Sequence, residues 1–243
     1  MPASEMNKVA IDLHIHSALS PCGEAEMTPN NIVNMALLKG LDVIAVTDHN
    51  SAKNLPAIMA VAKKNKKALG ILAGIEVTTK EEAHILAYFE TLAAAMELDR
   101  ILYQHLPEVL NKKELFGAQT IMDEHDQIIG EVDKLLISAT DIGVSQLWEL
   151  VTNLGGILVP AHIDRKSYSL IGSLGFMPPE LGIKTCEVSK TETIENVLKR
   201  FRFFKEYQFI HGSDAHRLEE IAEREYFLEL PDRQLQTLIR HLG

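Results

Sequence analysis

The stretch Val9-Ala10-Ile11-Asp12-Leu13-His14-Ile15-His16 is an apolar run that ends in two histidines one residue apart. Side chains alternate across a β-strand, so residues i and i+2 share a face. On a strand, Asp12, His14 and His16 therefore point the same way. Two imidazoles that converge at a strand end can hold a divalent metal ion. A single pair of this kind is also typical of a buried core strand, so the pair alone does not distinguish a metal site from a core strand.

Similar polar groups stand at the ends of other apolar runs. Five further runs carry a histidine or a carboxylate at one end, at residues 43–49, 71–76, 84–89, 157–162 and 209–216. In most of them the polar residue closes the run, whereas His84 opens its run. Barrels of alternating strands and helices gather their functional side chains at the carboxyl ends of the strands. The recurrence therefore predicts a single site at one mouth of a barrel.

Length and composition favour one large α/β unit. The chain has 243 residues, of which 46% are hydrophobic and only 6% aromatic, so aliphatic side chains should dominate the core. The sequence contains no apolar run long enough to span a membrane and no recognisable signal peptide. Two cysteines, Cys22 and Cys186, do not make a disulfide framework. These features predict a cytoplasmic protein without membrane association.

The net charge limits the kind of partner. A formal charge of −10 disfavours non-specific binding to a long polyanion. Bound divalent cations would still make the mouth of the site locally positive. We therefore expect no extended nucleic-acid footprint, while a small phosphorylated substrate or a short oligonucleotide end remains compatible with the charge.

Strand and helix patterns alternate along the chain. Strands are predicted at residues 9–16, 42–47, 69–77, 84–89, 157–162, 184–188, 208–212 and 226–230. Helix signals stand between the early strands, beginning with Thr28-Pro29, in which Thr28 is the N-cap. The rhythm of the first four strands predicts parallel strands joined by right-handed crossovers.

The middle of the chain is less regular. Residues 92–110 have a helical pattern, residues 116–130 contain two short β-like runs typical of a hairpin, and residues 144–154 are predicted as a helix. We interpret residues from about 90 to 155 as an insertion or cap near the site. No linker or internal repeat interrupts the chain, so residues 1–243 are predicted to form one domain.

Taken in order, the motifs resemble those of the polymerase and histidinol phosphatase (PHP) family. The matching positions are His14-Ile15-His16 (HxH), Thr47-Asp48-His49 (TDH), Gly74-Ile75-Glu76 (GxE), His84, His162 and Ser213-Asp214-Ala215-His216 (SDxH). Each motif is short, but their order and their positions at predicted strand ends make the match specific. The resemblance implies an α/β fold, a distorted (β/α)7 barrel with an inserted segment near the active-site mouth, and two or three divalent metal ions.

The resemblance also implies which residues hold the metals. The implied ligands are His14, His16, Glu76 and Asp214 for one ion, Glu76, His84 and His162 for a second, and His49 and His216 for a third. Sites of histidine and carboxylate accept Zn, Mn and Fe alike. Asp48 is expected to support catalysis by orienting a ligand histidine without binding a metal itself.

The last ligand of the third site is open between two residues. Relatives have an Asp or a His after the HxH motif, where this chain reads Cys22-Gly23-Glu24. Counting back from Thr28-Pro29 places Glu24 at the Asp position, and counting forward from His16 places Cys22 at the His position. We expect Glu24, because a hard carboxylate suits Mn, Fe or Mg as well as Zn. Cys22 is the alternative.

Two basic residues are candidates for substrate binding. His162-Ile163-Asp164-Arg165 matches an HxxR motif of the PHP subgroup that acts on nucleotide or 5′-terminal phosphates. A guanidinium at the rim suits two-point binding of phosphate, so Arg165 is assigned to substrate binding and catalysis. Lys190, just after the strand at 184–188, is a second candidate. For both residues the alternative is a solvated surface cation.

These features predict a metal-dependent phosphoesterase. The expected substrates are phosphomonoesters of nucleotides or other small phosphorylated metabolites. The expected nucleophile is a metal-bound hydroxide, because the metals lower the pKa of bound water from 15.7 to about 7. The metals and Arg165 would spread the charge that builds on the phosphoryl oxygens.

Three other functions would use parts of the same pattern. An exonuclease that trims nucleic-acid 5′ ends would use the same chemistry. Metal-dependent amidohydrolases also carry HxH on a first barrel strand, but the TDH, GxE and SDxH motifs favour the phosphoesterase, as does the lack of an obvious carbamylated lysine. A metal-binding module without activity is disfavoured because nearly every ligand type is present.

Overall fold

The computed structural model describes residues 6–243. The strands in this range are β1 Asn7–Ile15, β2 Val43–Val46, β3 Gly70–Thr78, β4 His84–Phe89, β5 Thr120–Met122, β6 Ile128–Glu131, β7 Ile157–Pro160, β8 Thr185–Ser189, β9 Gln208–Gly212 and β10 Phe227–Leu230. The α-helices are α1 Pro29–Leu38, α2 Leu55–Lys64, α3 Leu92–His105, α4 Lys113–Phe116, α5 Val144–Asn153, α6 Leu170–Leu174, α7 Ile194–Arg200 and α8 Leu235–Leu242. None of the helices between residues 6 and 243 has the length and apolar content needed to cross a membrane.

Six strands form one curled sheet in the order β10-β1-β2-β3-β4-β7. β1, β2 and β3 run parallel, as the alternation of strands and helices predicts. β10 joins the edge antiparallel to β1, and β4 runs antiparallel to both β3 and β7. The parallel direction predicted for the strand at residues 84–89 is therefore wrong.

The length of one connection explains the direction of β4. Residues 79–83 join β3 to β4, whereas a parallel crossover needs a dozen residues or more. The chain turns back in a hairpin, and His84 pairs with Thr78 at the end of β3. The amino end of β4 therefore lies beside the carboxyl end of β3. This is why His84 opens its strand while most of the other polar residues follow theirs.

A parallel pair of strands, β8 and β9, connects the two flanks of this sheet. The backbone N–H of Ile163, after β7, donates to the carbonyl oxygen of Glu187 in β8 at 3.0 Å. At the other flank, the N–H of His16 donates to the carbonyl oxygen of Ala215, beyond β9, at 2.9 Å. The result is a mixed α/β fold whose curled six-stranded sheet forms a half-barrel.

An irregularity in β1 changes which side chains share a face. Leu13 packs into an apolar cluster with residues of α8, whereas Ile15 packs into the cluster that lies under α1, α2 and α3. Strict alternation would place both on one side, but the register of β1 against β2 shifts between Asp12 and Ile15. Asp12 consequently does not join the two histidines. Its carboxylate accepts hydrogen bonds from the backbone N–H groups of Ser213 (3.1 Å) and Ala222 (2.8 Å).

The middle of the chain borders the end of the sheet where the polar residues collect. The hairpin predicted within residues 116–130 is observed as β5 and β6. The backbone N–H of Thr120 donates to the carbonyl oxygen of Ala18 at 3.0 Å. The side-chain amide of Asn50 donates to the carbonyl oxygen of Leu136 at 2.7 Å. These bonds hold the middle segment against the loops that follow β1 and β2.

Candidate metal centre

Two histidines of the HxH motif form the centre of a buried polar cluster. His14 and His16 approach each other at 3.2 Å through their Nε2 atoms, and both side chains are fully buried. These Nε2 atoms lie 3.3 and 3.4 Å from carboxylate oxygens of Glu76 in β3. They lie 3.4 and 3.2 Å from Oδ1 of Asp214, beyond β9. Predicted ligands from three distant parts of the sequence therefore converge at one point.

Glu76 is the residue that the other side chains surround. Its Oε1 lies 2.9 Å from Nδ1 of His84 and 3.4 Å from Nε2 of His162, and its Oε2 lies 2.9 Å from Nδ1 of His49. The side chain is 1% exposed, yet neither oxygen has a hydrogen-bond partner among residues 6–243. A buried carboxylate without hydrogen bonds is unfavourable unless a cation compensates it. The arrangement therefore indicates a cation-binding site.

The spacing of the donor atoms fits divalent metal ions. Donors that bind one ion at about 2.0–2.1 Å stand roughly 3–3.4 Å apart, and the nitrogen–oxygen distances around Glu76 are 2.9–3.4 Å. Three groups in the described chain bring their ligand atoms within 4.8 Å of one another: His14, His16 and Glu76; His49, Glu76 and His84; and His16, Cys22, His49 and His216. The residues present therefore fit a metal cluster in which Glu76 belongs to two groups.

Two residues of the cluster, His16 and Glu76, have pKa values shifted toward their metal-binding forms. Burial alone would lower the pKa of His14, but the carboxylates of Glu187, Glu76 and Asp214 outweigh it and raise that pKa well above its usual value. Burial lowers the pKa of His16 well below its usual value, and the facing imidazoles of His216 and His49 lower it further. Burial alone would raise the pKa of Glu76, but the imidazoles of His84, His14 and His49 outweigh it and hold that pKa well below its usual range. A neutral imidazole and an ionised carboxylate are the forms that bind metals.

Glu187 is a site residue that the sequence analysis missed. It lies fully buried in β8, and both carboxylate oxygens stand 3.0 Å from Nδ1 of His14. Its Oε1 also accepts a hydrogen bond from the backbone N–H of His162 at 3.1 Å. Because the carboxylate can only accept, Nδ1 of His14 donates to Glu187, and Nε2 is the atom that faces the cluster. A carboxylate inside the apolar run Cys186-Glu187-Val188 was the signal that could have identified it.

Asp48 supports a ligand histidine through an intervening serine, whereas Glu187 contacts one directly. Its Oδ1 accepts a hydrogen bond from the hydroxyl of Ser20 at 2.6 Å, and the Ser20 oxygen lies 3.0 Å from Nδ1 of His16. Ser17 donates to the same carboxylate through its backbone N–H (2.7 Å) and its hydroxyl (2.6 Å). Because the Ser20 hydroxyl donates to Asp48, Nδ1 of His16 donates to Ser20. Asp48 thus contacts the histidine through a serine rather than directly.

The structure does not bring Glu24 into the cluster. The Glu24 side chain is exposed, and its carboxylate pairs with Nε of Arg217 at 2.9 Å. The sulfur of Cys22 instead shares a group with His16 and His216. Glu24, the position found by counting back from Thr28-Pro29, therefore faces away from the cluster. Cys22, the position found by counting forward from His16, faces it.

Two converging residues have unusual backbone conformations. His162 has a φ of 29° and Asp214 a φ of 51°, both in the left-handed region that non-glycine residues rarely adopt. Each follows a strand, β7 or β9, at the point where the chain turns away from the sheet. Such conformations persist where the surrounding structure holds them, and they concentrate at functional sites.

A cavity of about 290 Å³ opens onto the cluster. Glu76, His84 and Asp214 contribute to its floor, and Arg165 and Tyr168 contribute to its wall. Nη2 of Arg165 lies 2.8 Å from Oδ2 of Asp214, and the Arg165 side chain is 46% exposed. The Tyr168 ring stacks on the His84 ring, with centroids 5.1 Å apart. The cavity therefore combines the converging ligands with one accessible cation and one aromatic face.

A second cleft, of about 540 Å³, shares Arg165 and Asp214 with the first. Lys190 and Arg217 also line it. Lys190 is exposed, and its Nζ lies 3.5 Å from the carbonyl oxygen of Glu220. The two basic residues singled out from the sequence thus border one cleft, and Arg165 stands between that cleft and the cavity above the cluster.

The PHP domain family matches residues 12–164 of the 243-residue chain. The chain belongs to the PHP domain family, and the resemblance inferred from its motifs is confirmed. That the chain is a metal-dependent phosphoesterase stays a prediction.

Among individual proteins, the chain is 30% identical over 76 residues to the 5′-3′ exoribonuclease Rnm of Salmonella typhimurium. This match covers 31% of the chain and 25% of that protein. The chain spans between 18% and 44% of the length of the curated relatives it matches.

Solved structures share the fold at low sequence identity. The lesion-specific endonuclease Q of Pyrococcus furiosus superimposes with a TM-score of 0.67 at 19% identity, over 98% of this chain and 57% of that chain. A presumed metal-dependent phosphoesterase from Bifidobacterium adolescentis superimposes with a TM-score of 0.62 at 17% identity, over 98% of both chains.

Proposed function

We propose that the protein hydrolyses phosphomonoesters of nucleotides or of other small phosphorylated metabolites. One observation carries most weight: the buried Glu76 carboxylate lacks a hydrogen-bond partner within residues 6–243 and stands among histidine nitrogens. It faces a cavity of about 290 Å³ with Arg165 in its wall. A group of metal ligands and a phosphate-binding guanidinium around one cavity suit phosphoryl transfer.

We assign the metal ligands by their positions in the cluster. His14, His16, Glu76 and Asp214 would hold one ion, Glu76, His84 and His162 a second, and His49 and His216 would contribute to a third. When bound, two or three divalent ions such as Zn, Mn or Fe would supply Lewis acidity and a coordinated water with a pKa of about 7. Glu187 and Asp48 keep the histidines in the required tautomers, directly for His14 and through Ser20 for His16.

Arg165 binds the phosphoryl oxygens in this proposal. Its guanidinium now pairs with Oδ2 of Asp214 at 2.8 Å, on the side of that carboxylate that faces away from His14 and His16. A phosphate that enters the cavity would compete for this guanidinium and offer it a two-point contact. Charge that builds on the phosphoryl oxygens is then stabilised by a fixed cation of the chain itself.

Lys190 is proposed to serve a second phosphate of the substrate. It lines the cleft of about 540 Å³ that Arg165 shares with the metal centre. A bisphosphate or dinucleotide could place one phosphate over the cluster and the next toward Lys190. The aromatic face of Tyr168, in the wall of the first cavity, would suit a base by stacking.

We further infer that the curled sheet and the β8-β9 pair make one distorted (β/α)7 barrel. The hydrogen bonds of Ile163 to β8 and of His16 to Ala215 support closure on both flanks. The chain would then be one domain, with residues 90–155 as a cap near the mouth. A cytoplasmic location stays a prediction.

An exonuclease that trims 5′ ends is the second candidate function. A match to a 5′-3′ exoribonuclease favours it, and the endonuclease Q fold is compatible with it. The cleft lined by Lys190 and Arg217, together with Asp214 and Glu220, could receive the nucleotides that follow a terminal phosphate. The net charge of −10 limits such a footprint to a few nucleotides.

A substrate panel tests the proposal. The full chain, stripped with chelator and reloaded with Mn or Zn, is given phosphomonoesters, nucleoside bisphosphates and short 5′-phosphorylated oligonucleotides. We expect metal-dependent release of phosphate from the small phosphomonoesters, and no release by the metal-free protein. Nucleotide release from oligonucleotides alone would establish the exonuclease instead. No hydrolysis by the metal-loaded protein would contradict both functions.

Replacing Arg165 with alanine should weaken substrate binding while leaving metal content unchanged. Loss of a hydrogen bond to a charged phosphate costs about 1.5–3 kcal/mol, roughly a ten- to hundredfold fall in kcat/KM. Arg165→Lys should restore little, because an ammonium cannot reproduce the planar fork. The measurement compares a nucleoside bisphosphate with a minimal aryl phosphate, and a larger loss on the bisphosphate is expected.

Arg100→Ala is the matched control for this prediction. Arg100 is a half-exposed arginine on α3 that pairs only with Glu97 in its own helix, among the described residues. Its replacement should leave kcat/KM unchanged on both substrates. If Arg165→Ala also left both unchanged, Arg165 would be a surface cation without a role in binding.

A further inference from the structure

We propose that Cys22 is a thiolate ligand of the third metal position, beside His49 and His216. The inference rests on the proposed metal-dependent function. The Cys22 sulfur lies within 4.8 Å of a ligand nitrogen of each of these histidines and of His16. It also lines the cavity of about 290 Å³ above the cluster. The sulfur therefore has access both to the histidines and to solvent.

The two histidines beside Cys22 supply independent support. Nδ1 of His49 is buried, forms no hydrogen bond among residues 6–243 and stands 2.9 Å from Oε2 of Glu76, and the His49 side chain is only 7% exposed. His216 is prepared as a ligand in a different way. Its Nδ1 donates to the carbonyl oxygen of Asp214 at 2.8 Å, which leaves the Nε2 lone pair free. The two imidazoles and the thiol offer three donors to one ion.

The loop that carries Cys22 is fixed from two sides. A Cβ on Gly23 would stand 2.4 Å from the carbonyl oxygen of Ser17, so only glycine allows this close turn. A Cβ on Gly117, in the middle segment, would stand 2.1 Å from the carbonyl oxygen of Pro21. Glu24, which follows Gly23 in the same loop, donates its backbone N–H to the carbonyl oxygen of His216 at 3.0 Å. The loop thus holds Cys22 beside the same histidine that it is proposed to join.

The thiolate would change which metals the third position prefers. Soft sulfur ligands select Zn, Co or Fe over Mn and Mg, whereas histidine and carboxylate ligands discriminate less. The positions around Glu76 contain nitrogen and oxygen donors only. We therefore expect one of the metal equivalents to differ from the others in its preference for soft ions.

Cobalt substitution tests this ligand directly. The full chain, stripped with chelator, is titrated with Co²⁺, and the near-ultraviolet sulfur-to-cobalt charge-transfer band is recorded with the bound equivalents. We expect the band in the wild type and its loss, together with one cobalt equivalent, in Cys22→Ala. Cys22→Ser should also lose the band. Glu24→Gln is the matched control, because its carboxylate pairs with Arg217 outside the cluster, and it should keep both the band and the equivalent.

Alkylation of the wild type gives a readout that needs no variant. Cys22 is exposed and Cys186 is buried, so iodoacetamide should label the metal-free protein at Cys22. Bound Zn²⁺ should slow this labelling at least about tenfold, because a coordinated thiolate is a poor nucleophile. Labelling at the same rate with and without Zn²⁺, or a band that persists in Cys22→Ala, would overturn the proposal.

The same samples distinguish a failure of the Cys22 ligand assignment from a failure of the proposed phosphoesterase function. Phosphate-ester hydrolysis by a wild type that shows neither band nor protection would overturn the cysteine ligand and leave the proposed function intact. A band and protection in a protein without hydrolytic activity would support the ligand and contradict the function. A Glu24→Gln variant that loses the cobalt equivalent would assign the position to Glu24 and overturn the proposal.

Discussion

Replacing Glu76 with glutamine should lower kcat/KM by at least about a hundredfold, in the range measured for lost ligand-shell or electrostatic groups. Glutamine keeps the shape but removes the negative charge. Oε1 of Glu76 faces His84 and His162, while Oε2 faces His49 and His16. A single substitution therefore disturbs the ligand sets of two metals at once, and we expect the variant to lose bound metal as well as activity.

Elemental analysis and turnover should be measured on the same preparations. The wild type, reconstituted with Mn or Zn, should contain two or three ions per chain, and Glu76→Gln fewer. Glu229→Gln is a suitable control, because Glu229 is an exposed glutamate on β10, among the strands of the same sheet. A folded Glu76→Gln variant with normal turnover and metal content would refute the bridging assignment. A wild type that binds at most one ion would refute the cluster.

Convergence of the metal-ligand candidates could be predicted because each lies in a local pattern at a strand end. His14, His49, His162 and Asp214 stand at or just after β1, β2, β7 and β9, and the carboxyl ends of these strands meet at one edge. The direction of β4 was missed although the five-residue connection at 79–83 excluded a crossover. Periodicity gives the existence of a strand, and loop length decides its direction.

The choice between Cys22 and Glu24 could not be made from local sequence. It depends on the path of a loop that is set by Gly23 against Ser17 and by Gly117 against Pro21. The second contact comes from the middle segment, whose position relative to the loop no local pattern encodes. Glu187 was missed for another reason: a carboxylate in an apolar run signals a buried partner, but only the fold identifies that partner as His14.

Glu187→Gln should weaken metal binding about ten- to hundredfold, the range for residues that orient a metal ligand from behind. Oε1 of Glu187 accepts from both Nδ1 of His14 and the backbone N–H of His162, and Oε2 accepts from His14 as well. Glutamine has one acceptor oxygen, and its NH₂ group would face a donor. The His14 ring then shares a single acceptor oxygen with the backbone N–H of His162 and is held less firmly with Nε2 toward the cluster.

Rescue by metal distinguishes an orienting residue from a ligand. Because Glu187→Gln leaves every proposed ligand in place, excess Mn or Zn should restore most of its activity. Glu76→Gln lacks a ligand, so the same excess should restore little. Metal affinity is measured by competition with a chelator, and folding is checked by thermal unfolding of both variants. Wild-type affinity in Glu187→Gln would show that His14 needs no support from β8, whereas a loss that excess metal does not reverse would place Glu187 among the ligands themselves.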